Sequence, residues 1–312
     1  MNDTRPVALE SAVRTKGLTK RYGELLAVDG LELEIAGGQF FGLLGPNGSG
    51  KTTTIHMLST LVRPSAGSAI VAGHDVGKAP VSVRKEIGLV FQESALDRTL
   101  TIAQNLRFAG LLYDLEPAVI EKRSNELLEL FGLNDKRNRP VGSLSGGMRR
   151  ALDIVRGVIH HPRILFLDEP TIGLDLPNRR RIWRFIEQLR ASTGMTVLLT
   201  THYLEEADGC DQVAFIRSGK LVEQGTPKGL VGALGRHIIE LEGRDLDALV
   251  AALEPRFGQA LRDGDTAMFR HGDEDVSALA TLQAELGEKV SALRVRRPNL
   301  NDVFLWVNAA RS

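Results

Sequence analysis

Disulfide scaffolds and cysteine-rich metal sites are ruled out first, because Cys210 is the only cysteine in the chain. A lone thiol fits a reducing compartment such as the cytoplasm. No charge of one sign predominates either: 39 Lys and Arg stand against 39 Asp and Glu, so the totals call for neither nucleic acid nor an acidic membrane surface as the main partner. Long apolar runs are missing too. None approaches the roughly 20 residues needed to cross a bilayer, and residues 1–16 are polar and mixed in charge. The sequence therefore predicts a soluble chain that reaches any membrane through a separate partner. Its 312 residues suggest about two domains.

Glycine, by contrast, is concentrated in Gly45-Pro46-Asn47-Gly48-Ser49-Gly50-Lys51-Thr52-Thr53, set between apolar Phe40-Phe41-Gly42-Leu43-Leu44 and helix-like Thr54-Ile55-His56-Met57-Leu58. The glycines open backbone conformations closed to other residues, so successive N–H groups can turn inward on an anion. Lys51 would reach the β and γ phosphates of a nucleotide, and the Thr52 hydroxyl would ligate Mg²⁺. The helix that starts there adds the positive end of its dipole. The Gly-x-x-x-x-Gly-Lys-Thr spacing between a strand and a helix makes this a phosphate-binding loop rather than an ordinary glycine-rich turn.

Two further stretches carry chemistry. Ile164-Leu165-Phe166-Leu167 has no polar face, which suits a parallel strand buried on both sides, and it ends in Asp168-Glu169. Open α/β sheets bind their ligands at that end. One carboxylate can hold Mg²⁺ through water while its neighbour polarises a water for attack on the γ-phosphate. Leu144-Ser145-Gly146-Gly147-Met148 ahead of a helix repeats the anion-binding physics in smaller form, although Ser145 alone would equally serve as a helix N-cap. The arginine runs Arg149-Arg150 and Arg179-Arg180-Arg181 read as solvated or ion-paired helix faces. There is no second Gly-Lys-Thr loop and no heptad run, so the chain carries one nucleotide cassette and no coiled-coil arm.

The expected fold class is α/β: a mostly parallel core, an antiparallel strand-rich flank, a helical lobe over about 93–160 and a small C-terminal α+β domain. Residues 1–12 read as a flexible leader, 13–231 as the nucleotide-binding domain and 237–312 as the accessory domain. Strands are expected at 25–35 and 85–92, and a helix at 276–286.

The order of Gly45–Thr53, Gln92, Leu144–Met148, Ile164–Glu169, Gly173-Leu174-Asp175 and His202 resembles the ATP-binding subunits of ABC transporters. In that family these are the Walker A loop, Q-loop, signature, Walker B with its catalytic glutamate, D-loop and switch histidine. The resemblance covers about 13–230. It implies ATP and Mg²⁺ as cofactors and a head-to-tail homodimer, with ATP between Walker A of one subunit and the signature of the other. On it, Glu169 is the general base and His202 senses the γ-phosphate. Gly45, Asn47, Gly48, Ser49, Gly50, Lys51, Thr52 and Thr53 hold the phosphates, and Tyr22 stacks on adenine. Ser145, Gly146 and Gly147 bind across the interface, joined at the nucleotide by Gln92 and Asp175. Thr52, Gln92 and Asp168 serve the metal. Met148 stands where the signature usually has glutamine, and proline is delayed to Pro177 after Leu176.

A narrower likeness, to the daunorubicin-resistance type of ABC ATPase, rests on Ser145–Arg150, Thr201–Asp208 and the tail Arg296-Arg297-Pro298-Asn299-Leu300-Asn301-Asp302-Val303-Phe304-Leu305. It implies ATP hydrolysis that energises drug export through a separate polytopic membrane permease. It places the chain at the cytoplasmic face of the cell membrane, with no nucleic-acid partner. The permease is expected near Gln92 and residues 93–100. Export of a lipid or polysaccharide, or a soluble role in DNA repair or translation, is the alternative.

Overall fold

The computed structural model describes residues 9–272 and 282–309, which fall into two compact units: residues up to 202 with 209–221, and 203–208 with 222 onward. Of the flexible leader expected over 1–12, residues 1–8 lie outside the described residues, and the end of it is corrected: Ser11 and Ala12 already open the first strand, where Ala12 is fully buried.

In the first unit, strands β1 (Ser11–Tyr22), β2 (Leu25–Leu31), β3 (Glu34–Ala36), β5 (Ala66–Val71) and β6 (His74–Asp75) form the antiparallel flank. The alternating run expected as one strand over 25–35 is two strands, and Thr15 explains the break. Its hydroxyl donates to Leu31 O at 2.8 Å and accepts from Leu33 N at 2.7 Å, replacing ladder bonds where the pairing shifts.

The second sheet is parallel. Strands β4 (Phe40–Leu44), β7 (Ile87–Val90), β8 (Ile164–Asp168), β9 (Thr196–Thr201) and β10 (Gln212–Arg217) lie in the order β10-β4-β9-β8-β7, and the start of β11 (Lys220–Gly225) follows β10. Every residue of β4, β8 and β9 is buried, as both-face coverage requires. Helix α1 (Lys51–Leu58) packs between the sheets: its Ile55, Met57 and Leu58 share one core with Phe41, Leu43, Ile164 and Phe166 and with Val13, Val28, Leu31 and Val71 of the flank. Each such side chain contributes about 1.5–3 kcal/mol of apolar burial. The strand expected at 85–92 starts only at Ile87, because Pro80 opens a helix, α2 (Pro80–Glu86), that takes Lys85 and Glu86.

The helical lobe holds α3 (Ile102–Leu112), entered through a Thr101/Gln104 capping box, α4 (Pro117–Leu130) and α5 (Gly146–Val158). Helix α6 (Leu176–Thr193) has Pro177 in its first turn, so the delayed proline is a helix-start residue.

In the second unit, α7 (Leu204–Ala207), α8 (Pro227–Ala233), α9 (Leu246–Phe257), α10 (Leu282–Leu286) and α11 (Leu300–Ala309) accompany an antiparallel sheet ordered β13-β14-β12-β15. These strands are β12 (His237–Gly243), β13 (Leu261–Asp263), β14 (Thr266–His271) and β15 (Val290–Arg296). Residues 222–231, expected to close the cassette, group with this unit. Of the helix expected over 276–286, residues 276–281 lie outside the described residues. One face of the sheet packs Ile239, Leu241 and Phe269 with Val250, Leu253 and Leu282, and the other packs Ile238, Leu261 and Met268 with Leu305 and Trp306. The tail motif has a structural task. Both oxygens of fully buried Asp302 accept from the Arg296 guanidinium at 2.7 Å, Glu240 accepts from it too, and Asn299 N caps Asp302 Oδ2 at 2.8 Å.

At the lobe's edge His160 stacks on Tyr113 at 3.6 Å, and its Nε2–H donates to Ile87 O at 2.9 Å. Burial pushes this imidazole down to about 4. The folded chain therefore favours neutral His160: its stabilising share is complete above pH 6.5 and declines as pH falls from 6.5 towards 4, by at most about 3 kcal/mol. Denaturant unfolding should show wild type losing stability over that window, and His160→Gln, which keeps a donor but does not titrate, losing less. Equal losses would contradict the assignment.

Candidate active site

The phosphate loop leaves β4 and enters α1 through Gly50, whose φ of 107° and lack of a side-chain cap leave the first turn of α1 open to an anion. Glycine is required here, since a Cβ would stand 2.5 Å from Ala27 O; at Gly45 it would stand 2.2 Å from Ile216 O. Ser49 Oγ, fully buried in the loop, has no hydrogen-bond partner, as suits a donor awaiting a phosphate oxygen. Asn47 and Gly48 are exposed at the tip, and Thr53 follows Thr52 in α1. Lys51 is buried, and its Nζ donates to Gly45 O at 2.8 Å and Pro46 O at 3.0 Å. Burial pushes its pKa down, while Glu169 and Asp168 pull it back up.

Strand order brings the remaining groups to this loop. Because β9 lies between β4 and β8, the ends of all three converge. Asp168 Oδ1 accepts from Thr52 Oγ1 at 3.1 Å and from Thr200 Oγ1 at 2.6 Å. Glu169, 8% exposed, has φ 45°, which is unusual outside glycine. Its N–H donates to the carbonyl and hydroxyl oxygens of Thr200, each at 3.1 Å. Its Oε1 lies 3.2 Å from His202 Nδ1. A threonine hydroxyl, two carboxylates and an imidazole thus gather beside one anion-binding loop, which is what phosphoryl transfer to water requires. The donor set of Thr52 and Asp168 suits a hard cation.

Other expected site residues stand apart. Tyr22 ends β1, is 45% exposed and carries Lys20 Nζ 4.9 Å from its ring centre. Gln92 lies just past β7. Ser145 caps α5, its hydroxyl accepting from Met148 N, and nothing lies within 4 Å of the Cβ position at Gly146. At Gly147 a Cβ would meet Asn178 Oδ1 at 2.5 Å. Asn178 is in turn held by Asp175, the N-cap of α6, whose Oδ1 accepts from Asn178 N at 2.9 Å. Among the described residues no hydrogen bond joins Ser145, Gly146, Gly147 or Asp175 to the phosphate loop of the same chain.

Two residues escaped the sequence reading. Thr200 holds both carboxylate-bearing residues. Arg150, expected on a solvated face, is only 7% exposed, and its guanidinium donates to the carbonyls of Phe91, Asp168, Glu169 and Pro170. A signal for it existed: Gly147, Arg150, Ala151, Ile154 and Val158 recur at three and four spacing, and all are buried.

A sequence profile of the ABC transporter family matches residues 28–172. The chain is 43% identical to daunorubicin resistance ATP-binding protein DrrA2 of Streptomyces coeruleorubidus, over 96% of each chain. It is 41% identical to Nod factor export ATP-binding protein I of Ralstonia nicotianae, over 93% of this chain and 91% of that one. Among solved structures, a dimeric ATP-binding cassette in a post-hydrolysis state with ADP and Pi superposes with a TM-score of 0.63 at 26% identity, over 69% of this chain and 98% of that one. With likeness running nearly end to end and the phosphate loop, carboxylates and histidine gathered at one end of its sheet, the chain belongs to the ABC transporter family of ATP-binding, ATP-hydrolysing subunits.

Proposed function

We propose that this chain hydrolyses ATP at a site shared by two copies and so energises export of a hydrophobic drug through a separate membrane permease. The observation that carries the catalytic part is the meeting of Lys51, Thr52, Asp168, Glu169 and His202 at the phosphate loop. Lys51 exchanges its loop carbonyls for phosphate oxygens. Thr52, Gln92 and Asp168 would hold Mg²⁺, which would supply positive charge against the phosphates. Glu169 takes a proton from the attacking water, with His202 orienting it and reading the γ-phosphate. Tyr22, exposed at the end of β1, offers a ring face to adenine. The open ground at Gly146 supports contact with a partner's nucleotide through Ser145, Gly146 and Gly147. ATP then shifts a dimer equilibrium, because it adds contacts only in the closed state.

Drug export rests on the daunorubicin-resistance relative. A second reading, lipid or polysaccharide export, has support in the Nod factor export relative at nearly the same identity. Both need a permease, since no helix among the described residues is long and apolar enough to cross a membrane. A groove of about 370 Å³ in the first unit opens onto exposed apolar surface. Leu61, Val81, Phe91 and Leu112 line it, and Leu112 and nearby Phe108 are 65% and 60% exposed. An apolar permease segment fits there. The groove reaches Phe91, beside Gln92, while residues 93–100 are not part of its lining. The subunit accordingly sits at the cytoplasmic face of the cell membrane.

Glu169→Gln should bind ATP with near-normal affinity yet turn over at least ~100-fold more slowly; wild-type turnover would place the base elsewhere. The same variant, tagged and recovered in ATP from detergent-dissolved membranes, should bring down a polytopic membrane protein, and Leu112→Glu should lose it. Recovery of only ribosomes, nucleic acid or soluble proteins would overturn the transport reading.

A further inference from the structure

Arg150 is a buried cation whose charge is favoured by the Asp153 and Asp168 carboxylates but whose hydrogen bonds all go to backbone carbonyls. Its guanidinium is satisfied by backbone carbonyls. Nε donates to Pro170 O, Nη1 to Phe91 O, and Nη2 to Asp168 O at 3.3 Å and Glu169 O at 3.2 Å. Three of these acceptors belong to successive residues. Carbonyls of neighbouring residues in an extended strand point to opposite sides, so three can face one point only if the chain turns sharply between them. The turn is present: β8 ends at Asp168, and Glu169 takes the left-handed conformation, φ 45°. A glutamate gains nothing intrinsic from that conformation, so surrounding contacts must impose it. Thr200 holds the Glu169 N–H and Arg150 gathers the carbonyls on either side. Without the guanidinium, three carbonyl dipoles would converge in a buried space with no donor, and the turn would open.

We propose that Arg150 is a positioning residue for hydrolysis, holding the Glu169 backbone in the turn that keeps its carboxylate beside His202. This rests on the reading of Glu169 as general base. Arg150 sits on α5, whose N-cap is Ser145. A phosphate seated on Ser145 and Gly146 by a partner subunit therefore bears on the same rigid helix that carries the guanidinium. The Phe91 carbonyl extends the clamp to the residue before Gln92. One side chain thus ties the signature, the base and the approach to Gln92. Lys51, Thr52 and the loop glycines make none of the clamp's hydrogen bonds, so its loss falls mainly on turnover and only weakly on nucleotide affinity.

The test is a double-variant cycle in the full chain. Arg150→Lys keeps the charge but not the planar fork, so it cannot reach four carbonyls. Saturating-ATP turnover should fall ~10-fold or more, with the dissociation constant for a fluorescent ATP analogue within about threefold of wild type. In a Glu169→Gln background, where no base remains to be positioned, Arg150→Lys should lower the residual rate by less than about twofold. Arg150→Gln, read in the same way, guards against a lysine that alone destabilises the chain, and thermal melting checks both. Wild-type turnover in both Arg150 variants would overturn the inference. So would an affinity loss matching the rate loss, or an equal fold-loss in the Glu169→Gln background, because each marks a general structural role. Wild-type turnover by Glu169→Gln alone would instead remove the general-base reading, and this inference with it.

Discussion

The structure depends on one short helix whose first turn has no cap of its own. Helix α1 is only eight residues long, too short to be stable alone, and its burial between two sheets supplies what propensity does not. That burial fixes the positive end of α1 at the mouth of the parallel sheet. Gly50 carries no side chain to occupy the first turn, and Lys51 is folded onto the carbonyls of Gly45 and Pro46. The loop is thus preorganised around a charge it does not itself contain.

The chemistry follows from strand order. Placing β9 between β4 and β8 brings Thr200 within reach of both carboxylate-bearing residues and sets His202 beside Glu169. Asp168 is drawn towards two hydroxyls, whereas Glu169 is turned aside by a left-handed backbone towards an imidazole. Two adjacent carboxylates so acquire different surroundings, as a metal ligand and a base require. Their common support is a threonine on one side and an arginine on the other.

How much of this the sequence disclosed depended on whether the cause was local. The phosphate loop was legible because its glycines, Lys51 and Thr52 act within nine residues, and the apolar run ending in Asp168-Glu169 because burial on both faces leaves a visible pattern. Arg150 was not, because adjacent arginines suggest solvent and its acceptors lie 18–59 residues away in sequence. Thr200 was invisible for the same reason: a threonine ending a buried strand acquires meaning only when β8 is set beside it. Helix α2 was missed where the apolar run 87–91 masked the start signal of Pro80. In the tail, the run from Arg296 to Leu305 is legible only as a likeness, and the bidentate pair of Arg296 and Asp302 within it needs the fold.

The account's central claim is that the nucleotide is held by two copies of this chain, the phosphate loop of one and the Ser145–Gly147 turn of the other. A structure of Glu169→Gln with ATP and Mg²⁺ tests it most directly. The predicted result is a head-to-tail pair in which Lys51 has left the carbonyls of Gly45 and Pro46 for the phosphates, and Ser145 and Gly146 of the opposing chain contact the same nucleotide. ATP enclosed by a single chain, or Lys51 still bound to its own loop, would contradict it.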